Sequence, residues 1–352
     1  MDKINVAVVG CGNISGIYLK NLTQRFHNVH VYAVSDLIAE NAKAKCAEYG
    51  IDKIMTFQEI IQDPQVQIVL NITTPPFHYT LCKQALEAGK HVYVEKPLSL
   101  KFEEGKELAA LAAEKGLLLG CAPDTFLGAG IQTCRHIIQQ GLIGEVIGAT
   151  AFMVCHGHES WHPNPEFYYQ VGGGPMFDMG PYYLTALVHL MGPVRSVSGM
   201  TAISMPTRTI TSQPKYGKVI DVEVPTHVNG LLRFANGAIG NIITSFDVWG
   251  STLPRIEIYG KLGTVIVPDP NGFGGEVLLR QSFDKTFKAF PLITEYSDNC
   301  RGIGLSAMAE ALQNGNNVHP ANGSQALHVL EIMEKIHTSS DLHRELDLES
   351  TL

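Results

Sequence analysis

The chain has 352 residues, 45% of them hydrophobic and 17% charged, which is enough for two domains with a core each. Its 26 basic and 34 acidic residues give a net charge of −8 with no Lys/Arg cluster, which argues against nucleic acid or an anionic membrane as partner. Seven scattered cysteines without CxxC spacing read as reduced thiols of a cytoplasmic protein. The opening MDKINVAVVGCG reads as a strand running into a turn rather than a signal peptide, and no apolar run approaches the ~18 residues of a membrane span.

The first third alternates strand and helix. Ile4–Val9 is a continuous apolar run, as for a strand buried on both faces of a parallel sheet. It ends in GCGNISG, in which Gly10 and Gly12 occupy the first two positions of G-x-G-x-x-G and Ser15 the third. A helix over 15–25 follows, then a strand over 29–35 that ends at Asp36, where an acid would meet an adenosine ribose. Glycines admit the pyrophosphate to the backbone, and the helix N-terminus offers free N–H groups. Leu37 and Ile38 come next and no Arg is placed for a 2′-phosphate, so NAD is expected, with NADP possible. Strands are predicted at 53–57, 66–73, 91–95 and 117–121, and helices at 77–88 and 103–115. This is a doubly wound parallel sheet, which binds ligands beyond the C-terminal strand ends. Thr73, Thr74, Pro75, Glu95, Lys96 and Pro97 all fall at that edge.

After Ala122 the pattern changes. A helix over 132–140 precedes strands at 146–155, 194–203, 227–234, 238–248, 255–259 and 264–268, with a hairpin signal at Asn236-Gly237. Helices return at 304–312 and 325–337. The expectation is two domains. Residues 1–122 form a nucleotide-binding domain, and 123–352 an α+β domain on a large, mostly antiparallel open sheet whose spare face could be an oligomer interface.

Two segments of the second domain carry candidate chemistry. In GGGPMFDMGPYY, Asp178 and Tyr182 are one helical turn apart, and Asp178 also suits a helix N-cap. Tyr183 is as eligible as Tyr182 on composition. In CHGHESWHPNPEFYY, the spacing of Cys155, His156, His158 and His162 matches no common zinc site, and no metal is expected. His158, Trp161 and Tyr168 could instead stack on and hydrogen-bond a sugar, with plain loop packing the alternative.

VGCGNIS, TTPPFHY, ALEAGKHVYVEKPLS and GGGPMFDMGPYY, in this order, resemble the glucose–fructose oxidoreductase/inositol dehydrogenase/rhizopine-catabolism (Gfo/Idh/MocA) family over nearly the whole chain. The resemblance implies a Rossmann domain plus an open-sheet α/β domain, NAD(P), and hydride transfer to or from a carbinol of a sugar, polyol or related alcohol. It also implies a homodimer or homotetramer through the sheet. By position it implies Gly10, Gly12, Asn13 and Ile14 at the pyrophosphate and Asp36 at the ribose. Thr73, Thr74, Pro75 and His78 would line the cofactor, with Glu95 and Lys96 near the nicotinamide. Lys96 matches the family's catalytic lysine, and Asp178 and Gly180 match its second motif. Tyr182 stands where most relatives have histidine, and some relatives carry Tyr there too.

A tyrosine with its usual pKa near ~10 is a poor base at neutral pH. A lysine ammonium ~4 Å away, at an effective dielectric of ~20, would favour the phenolate by about 4 kcal/mol, or about three pKa units. The expected roles are therefore proton relay for Tyr182, charge and polarisation for Lys96, and substrate orientation for Asp178. The alternative is a non-catalytic sensor of the same fold that binds dinucleotide or sugar.

Overall fold

The computed structural model describes residues 2–352. In chain order the elements are β1 (Ile4–Val9), α1 (Ser15–Gln24), β2 (Val29–Ser35), α2 (Ala39–Tyr49), α3 (Phe57–Gln62), β3 (Ile68–Asn71), α4 (His78–Glu87), β4 (His91–Val94), α5 (Phe102–Glu114) and β5 (Leu119–Cys121). Then come α6 (Ala129–Gln139), β6 (Val146–Val154), α7 (Gly174–Met191), β7 (Val194–Ala202), β8 (Thr207–Thr209), β9 (Val219–Asp221), β10 (His227–Phe234), β11 (Ile239–Ser245), β12 (Ile256–Gly260), β13 (Gly263–Val267), β14 (Val277–Gln281) and β15 (Lys288–Phe290). The chain ends with α8 (Ile303–Gln313), α9 (Gly323–Leu342) and β16 (Leu346–Asp347).

Two compact units form. One comprises Met1–Leu127 with Asn299–Leu330, the other Gly128–Asp298 with Glu331–Leu352. The expectation that everything after residue 122 forms one second domain is corrected by the return of 299–330 to the first unit. Polar groups hold the returning segment. The Asp124 carboxylate accepts the N–H groups of Gly302 (2.8 Å) and Gly304 (3.1 Å) at the start of α8. Asn21 Nδ2 donates to the carbonyls of Asn299 (2.9 Å) and Arg301 (2.8 Å).

The first unit carries a five-stranded sheet in the order β2-β1-β3-β4-β5, parallel throughout. The inner strands β1 and β3 are buried on both faces, which is why they read as apolar runs. The strand expected over 53–57 is reduced to a single bridge between Ile54 and Val34. A helix takes its end instead. Thr56 caps α3 by accepting the Glu59 N–H at 3.2 Å, while Glu59 accepts the Thr56 N–H at 2.7 Å. Helix α2 was not expected.

The second unit is built on a nine-stranded sheet, β15-β14-β13-β12-β6-β11-β10-β7-β16, antiparallel except where β6 runs parallel to β11. Asn236-Gly237 makes the hairpin between β10 and β11, in the register His227↔Ser245. Gly199 of β7 lies so close to α9 that a Cβ would fall 2.0 Å from the Ile336 carbonyl oxygen. The helix backbone therefore rests directly on the strand. Helix α7 starts at Gly174, so Asp178 is its fifth residue and not its cap, and Pro181 lies inside it.

Candidate active site

The cofactor edge of the first unit is shaped by its backbone. At the end of β1, Gly10 has φ +103°, and a Cβ there would sit 2.8 Å from the Ile72 carbonyl oxygen. Only glycine lets the end of β1 pass the end of β3 at this distance. At Gly12 a Cβ would meet nothing within 4 Å, so the turn is open on the side a pyrophosphate would approach. Ser15 Oγ donates to the Gly12 carbonyl (2.6 Å) and holds the turn against the start of α1. Asn13 is exposed and Ile14 half-buried.

Asp36 is tied to the same turn. Its Oδ2 accepts the Cys11 N–H (2.7 Å), and its Oδ1 accepts the Ile38 N–H (2.8 Å) and Asn41 Nδ2 (3.3 Å). A carboxylate aimed by neutral N–H donors suits ribose hydroxyls and opposes a 2′-phosphate. The open glycine turn, the helix start and the fixed acid fit a dinucleotide.

The loops after β3 and β4 are held by buried polar side chains. Asn71 Oδ1 accepts both the hydroxyl (2.7 Å) and the N–H (3.2 Å) of Thr73, and the Asn71 carbonyl accepts the Glu95 N–H (2.9 Å). His78 has no exposed surface. Its Nδ1 lies 2.7 Å from the Pro97 carbonyl and its Nε2 3.0 Å from that of Thr73. Burial lowers its pKa, which disfavours the charged ring that could donate to both. The neutral ring donates to one of these two carbonyls, lies between the TTPP and EKP loops, and offers no surface for the direct cofactor contact expected of it. Glu95 is also buried. It accepts the Tyr18 hydroxyl (2.6 Å) and the Lys96 N–H (3.0 Å) and so braces Lys96 from below. Lys96 is half-buried and its bond to Pro97 is cis. Thr74 is exposed, and Pro75 opens a short 3₁₀ turn.

In the second unit Asp178 and Tyr182 share one face of α7, four residues apart. Asp178 Oδ2 lies 3.4 Å from His158 Nε2. Tyr182 keeps 8% of its surface while Tyr183 keeps none, and burial pushes the Tyr183 hydroxyl up to about 12. Both tyrosines are buried, and Tyr182 is the one that retains some surface. Around His158 stand the rings of Tyr168 (3.9 Å between centroids), Phe246 (4.6 Å) and Trp161 (5.2 Å). Trp161 is 61% exposed. His156 stacks on Trp249 at 3.4 Å. Among the described residues no group of three or more His, Cys, Asp or Glu could hold a metal ion. His189 faces Gln132 and Arg135 at 3.0 Å, and burial together with the guanidinium lowers its pKa to about 3, as suits a packed helix histidine.

Sequence reasoning missed Asn71 and Tyr18, which hold the strand-end loops. Asn71 left a signal, an amide closing the apolar run IVL at the strand's end. Tyr18 left none beyond its place on the buried face of α1.

Comparison with known proteins bears on these features. Residues 4–122 match the model of an oxidoreductase family with an NAD-binding Rossmann fold, and residues 131–266 match the GFO/IDH/MocA C-terminal domain. An uncharacterized oxidoreductase, C115.03, of Schizosaccharomyces pombe is 26% identical over 99% of this chain and 100% of its own length. The D-glucoside 3-dehydrogenase of Escherichia coli is 27% identical over 76% of this chain and 78% of its own. The structure of levoglucosan dehydrogenase with NADH and levoglucosan superposes with a TM-score of 0.83 at 20% identity, over 99% of this chain and 100% of that one, which speaks to the fold. The two family matches together span well over half of the chain, in the order the two units require, and the chain belongs to the GFO/IDH/MocA family of NAD-binding oxidoreductases.

Proposed function

We propose that the protein is an NAD-dependent dehydrogenase acting on a CH–OH group of a sugar, polyol or related alcohol, with Lys96, Asp178 and Tyr182 as its reactive groups. The observation that carries this reading is the pair on α7: a tyrosine that keeps a little surface, and an aspartate one turn earlier that faces a ring-lined histidine at 3.4 Å. NAD would be held by Gly10, Gly12, Asn13, Ile14, Asp36 and the Thr73–Pro75 loop, and would supply the hydride acceptor. The carbinol loses its C–H as hydride and its O–H proton to Tyr182, and becomes a carbonyl. The Lys96 ammonium steadies the substrate oxygen as charge builds on it. Asp178 and His158 accept and donate hydrogen bonds to neighbouring hydroxyls, and Trp161 and Tyr168 offer flat faces to the apolar side of a sugar ring.

The test is NADH absorbance on mixing the protein with NAD and a panel of sugars and polyols. Turnover is expected with at least one. NAD binding with silence across the panel would replace this reading with the sensor. With a substrate found, Lys96→Met should lower kcat by about 10²–10⁴-fold while leaving NAD affinity near wild type. Unchanged turnover would remove Lys96 from the chemistry.

We also propose a homodimer or homotetramer through the outer face of the nine-stranded sheet. Met200 (79% exposed), Leu231 (53%) and Ile239 (54%) support it, each directly paired across the ladder with Asn229, Asn241 and Arg233 on that face. Light scattering reads the mass. A cytoplasmic location suits the seven free thiols.

A further inference from the structure

The hairpin of β8 and β9 belongs to neither large sheet, yet it puts one guanidinium beneath the loop that carries His158. Arg208 is 4% exposed. Its Nη1 donates to Glu159 Oε1 (2.8 Å), and its Nη2 donates to the Phe246 carbonyl (3.0 Å) and pairs with the Asp247 carboxylate. The other Glu159 oxygen accepts the Tyr169 hydroxyl, and that hydroxyl oxygen accepts the backbone N–H of His158 (3.3 Å). Asp247 also accepts the Thr226 hydroxyl (2.8 Å). One cation thus fastens the residue after His158 to the strand end that carries Phe246, a ring partner of His158.

The hairpin is bound to the same loop along its length. The Thr211 and Ser212 N–H groups donate to the Glu159 carbonyl (2.9 and 3.0 Å), and Ser212 Oγ donates to that of His162 (2.6 Å). Lys215 and Lys218 both donate to Glu166 (2.6 and 2.9 Å), which holds its carboxyl down at about 2. A buried triad of two carboxylates and an arginine is a poor device for stability alone, since apolar residues of the same volume do as well or better. What it supplies here is directional bonding to the backbone on either side of a ring.

We infer that Arg208 is a positioning residue for substrate. Through Glu159, Tyr169 and Phe246 it sets the place of His158, and through His158 that of the Asp178 carboxylate 3.4 Å away. It governs affinity for the alcohol and not for NAD. This rests on the dehydrogenase reading above.

The test removes the charges together. The triple variant E159Q/R208M/D247N leaves no buried ion unpaired, so its thermal midpoint should fall less than that of R208M alone. Its NADH affinity should also hold, while KM for the alcohol rises about tenfold with kcat within a few-fold. A wild-type KM in the triple variant makes the network structural only and overturns the inference. R208K keeps the charge without the three-way reach and carries the same test if the triple variant does not fold, with a raised KM expected and an unchanged one overturning the inference. If the wild-type protein oxidises no sugar or polyol, the dehydrogenase reading fails by itself. Hydrogen exchange then decides the positioning role. Faster exchange over 156–170 in the folded variant, with β10 and β11 unchanged, upholds it, and wild-type exchange ends it.

Discussion

At the end of β1 the cofactor edge is made of backbone: a glycine at φ +103°, an open turn at Gly12, and an aspartate held by main-chain N–H groups of Cys11 and Ile38. In the loop after β6 the proposed substrate edge is made of side chains. His158 stands among rings, and beneath it Glu159, Arg208 and Asp247 meet from three separate stretches of chain. The first construction needs a few residues in a row and tolerates little. The second needs charges to find one another after the sheet has formed, so it depends on everything that places β8 and β11.

The contrast can be broken by mutation. The largest effect is expected from Arg208→Met alone, which leaves two buried carboxylates without their cation and should lower stability by about 3–5 kcal/mol in urea unfolding. A loss under about 1 kcal/mol would mean that the carboxylates are solvated and that side-chain charge does not hold this region.

Asp124 tests whether buried charge also matters in the first unit. Burial raises its carboxyl from 3.8 to about 6, against the two N–H groups it accepts from Gly302 and Gly304. Between those values the folded protein keeps a proton that the unfolded chain has lost. This group's contribution is therefore fully present below about pH 4 and is lost as pH rises through about 6. The shift of about two units corresponds to about 3 kcal/mol. Asp124→Asn should flatten the stability profile between pH 4 and 6, and an unchanged slope there would show that Asp124 is ionised in the folded protein throughout.

The smallest change in stability, and the sharpest test of the backbone-made edge, comes from two glycines. Gly10→Ala meets the Ile72 carbonyl in a left-handed conformation and should cost about 1–3 kcal/mol as well as NAD affinity. Gly12→Ala meets no protein atom, so stability should hold while NAD affinity falls about tenfold through crowding of the pyrophosphate. Equal loss of stability in both would mean that the turn at Gly12 is closed.

Much of the cofactor edge was legible because its signals are local. The apolar run, the glycine spacing and the acid after β2 lie within 33 residues of one another, and the Asn236-Gly237 turn announced the pairing of β10 with β11 just as directly. The misreadings have physical causes. Ile54 and Phe57 suggested a strand over 53–57, but the Thr56–Glu59 capping box started a helix there. Asp178 looked like a cap, yet α7 starts four residues earlier, with Pro175 in its first turn, where a proline lacks nothing the helix needs. His78 looked like a cofactor contact because it follows TTPP, but its ring is wholly buried between two carbonyls inside the unit.

By itself the sequence determined the dinucleotide turn, the alternation of the first sheet, the change to long strands after residue 122, and the pairing of an aspartate with a tyrosine on one turn of helix. All follow from steric and periodic rules that act over a few residues. Tertiary structure alone decided that 299–330 return to the first unit, that Tyr183 keeps no surface while Tyr182 keeps a little, and that Arg208 is bonded to Glu159 beside His158. Each of these depends on which distant groups share a buried, low-dielectric space, where an unmet donor or charge is costly and a met one is held fast.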